Sequence, residues 1–416
     1  MRSPEEIKVL VVAESINVED SSGSKANVAL IQNLHKIGYN VLVLHYSHRE
    51  IHLPEVKCMQ IKENRRSLLF LLSRIERKLR RNLKIDLHQP LENLFGFSFT
   101  LLNDSRSIVA GIKEVDDFDA DLIFTLSKGA SYRPHHALLN VPELHDKWLA
   151  YIHDPYPHHY YPEPYKWSEP GYIRKIEFFK QVLRSCTVAV FPSLLLKEWM
   201  QNFFPWIDEK SCIIPHQISG GTAKKVSMPS FFDSGKFNLL HAGNLMKQRP
   251  PFHLIEGFKR FQDKNPDAKK NASLLLIGNS SYHTSELKKC EKKVPNLIIS
   301  DYLQQDIVLK LQQEAAVNII LESKSALSPF LPGKFPNCIE ANKPILLLGP
   351  SKSEVRRLLG DDYQYWSEID DIEKIANLIQ ELYESWKSSS RQTLERSDLL
   401  RYMSPHYMKE ELQKLL

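Results

Sequence analysis

Short apolar runs rich in β-branched residues alternate along the chain with longer segments whose apolar positions follow a helical period. Such runs predict buried strands of a parallel sheet, and the segments between them predict covering helices. The first half has predicted strands at 7–13, 39–45, 121–126, 148–153, 187–192 and 212–215, and predicted helices at 28–37, 172–185 and 194–203. The second half has predicted strands at 237–241, 273–277, 297–300, 317–321 and 345–348, and predicted helices at 251–261, 285–293, 304–315, 371–387 and 391–416.

The segment between the two halves, residues 216–236, is rich in Gly, Ser and Lys and has no apolar period. This composition predicts a linker. A chain of 416 residues is long enough for two domains. The pattern therefore predicts an α/β protein with doubly wound parallel-sheet domains at 1–215 and 237–390, followed by a closing helix at 391–416.

The loop between the predicted strands 317–321 and 345–348 contains prolines at 329, 332 and 336 and one glycine, Gly333, and within residues 325–339 its one charged residue is Lys334. Open α/β sheets bind ligands in loops at the carboxyl ends of their strands. A short helix is predicted at 335–342, and its amino end would face an anion. Lys334 at this point indicates a phosphate site.

Four segments of the chain resemble GT-B glycosyltransferases, close to glycosyltransferase family 4. SPFLPGKFPNCIEANKPIL resembles the donor-site segment of that family, and LLHAGNLMKQRPPFHLIEGF (239–258) resembles its strand, glycine loop and basic pair. IPHQ (214–217) and YIHDPYP (151–157) resemble its linker entry and its amino-domain cleft. The resemblance implies two Rossmann-like domains facing a central cleft, with the closing helix, 391–416, packing back on the amino-terminal domain. It also implies a metal-independent transferase, with no cofactor, that moves a sugar from a nucleotide-diphosphate donor to a glycan or lipid-linked glycan in cell-surface polysaccharide or glycoconjugate synthesis.

The resemblance also assigns roles to residues of this chain. Arg249 and Lys334 would clamp the diphosphate, with Lys247 as the substitute for either. The full diphosphate set would be Gly243, Asn244, Lys247, Arg249, Gly333 and Lys334. Ribose, base or sugar would contact Gly278, Glu322, Phe335 and Asn337, and the acceptor would face a loop containing Gly23, Ser24 and Lys25. Two alternatives stay open: a solvated turn at Lys247 and Arg249, and a plain polar connection at residues 23–25.

His153 and Asp154 begin a proline-rich loop, residues 153–167, that follows a predicted strand. The proline density excludes a helix there. A His–Asp pair at this position can serve as catalytic base and partner; the alternative is a strand end followed by a turn. His158 and His159 are adjacent and point apart, and no third ligand has a fitting spacing, so no metal is expected.

One departure from the family pattern concerns acidic residues. Many family-4 enzymes have two glutamates eight positions apart in the donor segment, whereas this chain has Pro329 and Asn337 there. Asn337 can still bind a ribose hydroxyl, and Glu322 or Glu340 can act from nearby. The missing pair keeps two alternatives open: a catalytically silent nucleotide-sugar-binding protein or transferase partner, and a GT-B sugar-nucleotide epimerase.

Charge is concentrated in one segment. Residues 65–84 contain eight basic residues and one acid, Glu76, so this segment carries a charge of +7. The net charge of the whole chain is +5, so the other residues together carry −2. A near-neutral remainder argues against a nucleic-acid-binding face. Within residues 66–84, one helical stripe holds Leu68, Leu71, Leu72, Ile75 and Leu79. This pattern is typical of a surface helix packed on the core, or of a basic amphipathic helix on anionic lipid, where each cation contributes about 1 kcal/mol.

Cysteine usage and the amino terminus suggest a location. The five cysteines are scattered without metal-like spacing, which is typical of reduced thiols in the cytoplasm. The first apolar run is too short for a signal peptide, and no segment has the ~20 apolar residues that a membrane-spanning helix needs. We expect a cytoplasmic protein, peripheral on the inner face of the membrane if residues 66–84 bind lipid.

Overall fold

The computed structural model describes residues 6–158, 168–219, 226–388 and 393–416. Contacts within the chain divide these residues into two compact units. The first unit contains 6–158, 168–219 and 403–416, and the second contains the described residues from 226 to 402. The chain leaves the first unit between 219 and 226, within the predicted linker.

The first unit is built on a seven-stranded parallel sheet of order β3-β2-β1-β4-β5-β6-β7. Its strands are β1 (Lys8–Ala13), β2 (Asn40–His45), β3 (Lys57–Gln60), β4 (Leu122–Leu126), β5 (Trp148–Tyr151), β6 (Val188–Phe191) and β7 (Ser211–Ile213). Alternate residues of β1 pack into different apolar clusters, Val9 and Val11 on one face and Leu10 and Val12 on the other. Helices therefore cover both faces of this sheet.

Those helices are α1 (Ser22–Lys36), α2 (Leu68–Leu83), α3 (His88–Phe95), α4 (Phe99–Lys113), α5 (Arg133–Leu138), α6 (Tyr172–Ser185) and α7 (Leu194–Gln201). Short 3₁₀ helices lie at Asp116–Phe118, Gly129–Ser131, Pro142–Lys147 and Pro205–Lys210. Helix α1 starts six residues before its predicted start, because the hydroxyl of Ser21 caps it by accepting a hydrogen bond from the backbone N–H of Ser24. Residues 23–25 therefore form the first turn of a helix, which corrects the predicted loop.

The second unit has a six-stranded parallel sheet of order β10-β9-β8-β11-β12-β13. Its strands are β8 (Phe237–Ala242), β9 (Ala272–Ile277), β10 (Leu297–Ser300), β11 (Val317–Leu321), β12 (Ile345–Leu348) and β13 (Trp366–Ser367). Its helices are α8 (Phe252–Lys264), α9 (Ala268–Asn271), α10 (Thr284–Glu291), α11 (Gln305–Glu314), α12 (Phe335–Glu340), α13 (Glu354–Leu359), α14 (Ile372–Ser388) and α15 (Ser397–Tyr402). Apolar clusters again lie on both faces of the sheet.

The predicted closing helix at 391–416 is interrupted. Residues 391–392 lie outside the described residues, and α15 is followed by a separate helix, α16 (Pro405–Gln413). Ser404 caps α16 and Pro405 occupies its first turn, where a missing N–H costs nothing, whereas a proline inside one continuous helix would break it. Met408 and Leu412 of α16 are fully buried in the core of the first unit.

In both sheets the strand order reverses beside the first strand of the unit: between β1 and β4, and between β8 and β11. Loops leaving the carboxyl ends of two such strands run to opposite faces, and the crevice between them is the usual ligand site of open α/β sheets. Among the described residues, no helix is both long and apolar enough to cross a bilayer.

Candidate functional site

Two glycines shape the edge of the second sheet at its point of reversal. Gly243 directly follows β8 with φ +156°, and a Cβ placed on it would lie 3.0 Å from Nζ of Lys334. Gly278 directly follows β9 with φ +134°, and a Cβ there would lie 2.6 Å from the carbonyl oxygen of Gly243. Because neither residue has a side chain, the lysine and two backbone segments approach each other closely.

Lys334 lies immediately before α12, and its ammonium group faces a histidine that the sequence did not single out. Nζ is 3.2 Å from Nδ1 and 3.3 Å from Nε2 of His241, the buried fifth residue of β8. Burial, together with the charge of Lys334, holds the pKa of His241 well below its usual value, so the imidazole is neutral. Burial lowers the pKa of Lys334 to about 7, and the charge of Arg249 contributes to this.

Arg249 is close enough to Lys334 and His241 for its charge to lower the pKa of both. It ends a turn in which its backbone N–H donates to the carbonyl of Met246 at 2.9 Å. Its Nε is buried, with no hydrogen-bond partner among the described residues. The structure thus brings the two predicted clamp residues together and leaves a buried guanidinium donor unsatisfied, a state that an anionic ligand would relieve.

A buried carboxyl group completes this cluster. Glu322 directly follows β11, is only 2% exposed, and accepts a hydrogen bond from the hydroxyl of Ser328 at 2.7 Å. A Cβ on Gly349 would lie 2.5 Å from its Oε2, so this glycine makes room for the carboxyl group. Burial raises the pKa of Glu322 to about 7, while the charge of Arg249 acts to lower it. An acid that titrates near neutral pH therefore lies among the cations.

The other predicted donor-site residues differ in their placement. The amide oxygen of Asn244 accepts a hydrogen bond from the backbone N–H of Asn279 at 3.2 Å, which joins the loops after β8 and β9. Lys247 and Gly333 are exposed, and Asn337 is partly buried on α12. The ring of Phe335, the first residue of α12, is fully buried. Its contact with the ribose, base or sugar stays a prediction.

In the first unit, His153 pairs with an asparagine rather than with its neighbour Asp154. Its Nε2 lies 3.0 Å from Oδ1 of Asn27, whose Nδ2 donates to the carbonyls of Ser15 (3.3 Å) and Ser127 (3.1 Å). Because both amide donors point away, the asparagine oxygen must accept from the ring, and Nε2 carries the proton. Nδ1 is then a buried acceptor with no hydrogen-bond partner among the described residues.

The His153 imidazole is neutral. Burial holds its pKa well below the usual range, and His216, whose ring stacks on it at 5.6 Å, adds to the effect. The predicted His–Asp pair is therefore corrected: a ring that hydrogen-bonds Asn27 and resists protonation is a poor general base. It remains a well-placed hydrogen-bond acceptor.

Asp154 and Gly23 meet at the same edge of the first sheet. A Cβ on Gly129 would lie 3.6 Å from Oδ2 of Asp154, and a Cβ on Gly23 would lie 3.2 Å from the backbone nitrogen of Gly129. Ser24 is fully buried, and burial lowers the pKa of Lys25. Gly23 and Asp154 thus both lie close to Gly129, whereas Ser24 is a buried residue in the first turn of α1. Residues 159–167 of the predicted loop, including His159, lie outside the described residues.

A charged network at this edge was missed by the sequence-based prediction. Arg133 bridges two buried carboxylates, with Nη1 at 2.8 Å from Glu14 and Nε at 2.7 Å from Asp104. Tyr46 donates to the other oxygen of Asp104 at 2.8 Å. One signal in the sequence could have pointed to Glu14, because it directly follows a buried strand. His241 and Glu322 of the second unit also lie at or near the carboxyl ends of strands.

No cluster of three or more histidine, cysteine or acidic side chains suited to a metal occurs within the ranges that the structure describes.

Comparisons with known proteins identify the architecture. No protein-family model and no curated protein matches the sequence. Solved structures match over nearly the whole chain. A UDP-forming α,α-trehalose-phosphate synthase from Burkholderia xenovorans, in complex with glucose-6-phosphate, has a TM-score of 0.63 at 8% identity and covers 98% of this chain and 99% of its own.

Two further structures agree. A sucrose-phosphate synthase from Thermosynechococcus elongatus has a TM-score of 0.61 at 12% identity over 99% of both chains. A trehalose-6-phosphate structure from E. coli, bound with UDP-2-fluoro glucose, has a TM-score of 0.62 at 10% identity over 98% of both chains. This likeness establishes the fold, the two-domain GT-B arrangement of Rossmann-like parallel sheets, and confirms the predicted fold class.

Proposed function

We propose that this protein is a glycosyltransferase that takes its sugar from a nucleotide-diphosphate donor. The carrying observation is the cluster of Lys334, Arg249 and Gly243 at the reversal point of the second sheet. There, Lys334 lies against a glycine backbone that carries no side chain, and Arg249 is close enough for its charge to act on Lys334. One guanidinium nitrogen of Arg249 is buried with no partner among the described residues. A diphosphate supplies the oxygens that this arrangement lacks.

The chemistry follows from the same groups. Breaking the bond between sugar and diphosphate leaves negative charge on the departing oxygens, and fixed cations stabilise that charge without a metal. Arg249 offers a planar pair of donors, while Lys334 acts as a point charge at the amino end of α12. Glu322 lies close enough to Arg249 and Lys334 for their charges to interact, and we propose it in place of the missing acidic pair.

The first unit is proposed to hold the acceptor, with residues 1–215 as the acceptor domain and 237–390 as the donor domain. Nδ1 of His153 would accept a hydrogen bond from a sugar hydroxyl, and Asp154 would lie beside it on the same loop. We propose a glycan or lipid-linked glycan as acceptor and a cytoplasmic role in cell-surface polysaccharide or glycoconjugate synthesis. The UDP-forming and UDP-sugar-bound neighbours support a nucleotide-sugar donor.

One observation favours a second candidate. Pro329 and Asn337 occupy the positions where family-4 enzymes have two glutamates, so a catalytically silent nucleotide-sugar-binding protein is the alternative. Calorimetry with UDP-, GDP- and dTDP-sugars, run beside a product assay with glycan acceptors, separates the two. Binding with sugar transfer supports the transferase, binding without product on any acceptor supports the silent protein, and product without acceptor indicates an epimerase. If no nucleotide sugar binds, the donor site itself is wrong.

A further inference from the structure

The exposed side of α2 differs from that of an ordinary surface helix. An amphipathic helix on a soluble domain turns its apolar residues inward. In α2 the side chains of Leu68, Leu71 and Ile75 are 69%, 55% and 45% exposed, and the one fully buried residue is Ser73. The predicted apolar stripe thus splits: Leu72 and Leu79 turn partly inward, and the other three face solvent.

Cations run beside these apolar side chains. Arg74, Lys78 and Arg81 recur at helical spacing on the exposed side, next to the stripe of Leu68, Leu71 and Ile75. The guanidinium of Arg74 lies over the ring of Phe70 at 4.6 Å, so it stays close to the apolar surface. The single acid of the segment, Glu76, is partly buried on the opposite side.

Exposed apolar side chains also follow α2 in the sequence. Further large apolar side chains are exposed in the next turns of the chain: Leu83, Ile85, Leu94 and Phe95. The end of α3 is held against the start of α6, because a Cβ on Gly96 would lie 3.0 Å from Cβ of Arg174 and the buried ion pair between Lys175 and Glu92 spans 2.8 Å. Ile173, at 82% exposure, adds an apolar side chain at that junction.

We propose that this surface, α2 with the exposed residues of 83–95 and Ile173, binds the headgroup and upper acyl region of an anionic phospholipid bilayer. Exposed leucine, isoleucine and phenylalanine side chains insert, while arginine and lysine pair with anionic headgroups. A second copy of this chain is disfavoured as the occupant. An isologous contact would bring two surfaces of the same positive charge together. The proposal does not depend on the donor site.

Flotation of the full chain with vesicles tests this surface. Vesicles of phosphatidylcholine with about 30% phosphatidylglycerol should carry the protein, vesicles of phosphatidylcholine alone should not, and about 0.5 M salt should weaken the binding. Arg74→Glu with Lys78→Glu, and separately Leu71→Ser with Ile75→Ser, should each lower the bound fraction at limiting lipid by about tenfold. The matched control is Lys288→Glu with Lys289→Glu, on the exposed side of α10 in the second unit, which should bind like the parent.

All of the substituted side chains are exposed, so circular dichroism and the melting temperature should match the parent protein. Equal recovery with the two vesicle compositions would overturn the proposal, and so would either double variant binding like the parent. The surface would instead be assigned to contact with a second copy if two results were found together. The parent protein would form a dimer without binding vesicles, and the Leu71→Ser with Ile75→Ser variant would be monomeric.

Discussion

The environment of Lys334 is unusual for a lysine, because its ammonium group lies against a neutral imidazole and close to the positive charge of Arg249. Its pKa of about 7 means that the unliganded protein holds this lysine only partly protonated at neutral pH. A diphosphate favours the charged form and must therefore raise that pKa on binding. Donor binding and proton uptake are therefore coupled through this side chain.

We expect affinity for a nucleotide sugar to fall by up to about tenfold per pH unit above pH 7 and to change little below it. Calorimetry in buffers of different ionisation enthalpy should show uptake approaching one proton per donor at about pH 8.5 and little uptake at about pH 6. Lys334→Arg stays charged throughout this range and should remove the share of the uptake that belongs to Lys334, leaving only that of Glu322. Unchanged proton uptake in that variant would remove Lys334 from the donor site.

Removal of either cation should abolish transfer while the fold survives. Arg249→Ala and Lys334→Ala each delete a charge that faces the departing diphosphate, and we expect turnover to fall by about 10²–10³-fold. Lys288→Ala, an exposed cation on α10, is the control and should leave turnover unchanged. Full activity in both variants, with melting curves like the parent's, would contradict the proposed clamp.

The sequence pointed to the two cations of the proposed donor site but not to their neighbours. Lys334 stood out as the one charged residue within 325–339, an apolar, proline-rich stretch, and Arg249 followed a strand and glycine of recognisable type. His241 did not stand out because it lies within an apolar run, and Asn27 did not because it ends a polar stretch before the predicted helix. Their importance comes from contacts 93 and 126 residues away, which no local pattern contains.

At the scale of elements, apolar periodicity located most strands within a residue or two but missed β3, β13 and several helices. Strands β11 and β12 have the predicted bounds, Val317–Leu321 and Ile345–Leu348. Helices α3, α4 and α5 were not predicted, and α1 was predicted to start late. Helices α4 and α1 bury polar side chains, such as Asp104 in α4 and Asn27 in α1. Because hydrogen bonds replace apolar contacts there, the hydrophobic period fades.

The loops after β8 and β9 form one packed unit, so a methyl group in the second should disturb the first. Gly278→Ala places a Cβ 2.6 Å from the carbonyl of Gly243 at positive φ, and we expect the free energy of unfolding to fall by about 2 kcal/mol. Donor affinity should fall as well, because the displaced backbone carries the proposed phosphate contacts. Gly235→Ala, whose Cβ meets only a carboxylate oxygen of Asp233 at 3.2 Å, is the control. Unchanged donor affinity in Gly278→Ala would show that the two loops act separately.

At the scale of the molecule, the restart of the strand–helix pattern at residue 237 predicted two sheet units, and the structure has both. The return of the chain to the first unit was expected only from the resemblance. The local sequence of α16 does not indicate which surface its apolar side packs on, because that side could pack against any exposed apolar surface. Met408 and Leu412 in fact complete the apolar cluster that contains Val28 and Leu34 of α1.

Deletion of residues 403–416 should therefore destabilise the first unit and spare the second. Truncating one fully buried leucine or methionine to alanine costs about 2–5 kcal/mol, so Leu412→Ala alone should lower the stability of that unit by about 3 kcal/mol. Hydrogen exchange followed by peptide mapping separates the two units. Leu400→Ala, on the partly exposed side of α15, should change protection little. Equal loss of protection in both units after Leu412→Ala would contradict this assignment.

The position of α16 has a consequence for synthesis. Translation delivers the amino-terminal sheet first, but the core beneath α1 stays open until residues 403–416 have been made and have left the ribosome. The residues that form the second sheet emerge before then. A chain interrupted between the second sheet and residue 403 would therefore carry a complete second sheet and an incomplete first core, and such exposed apolar surface favours aggregation.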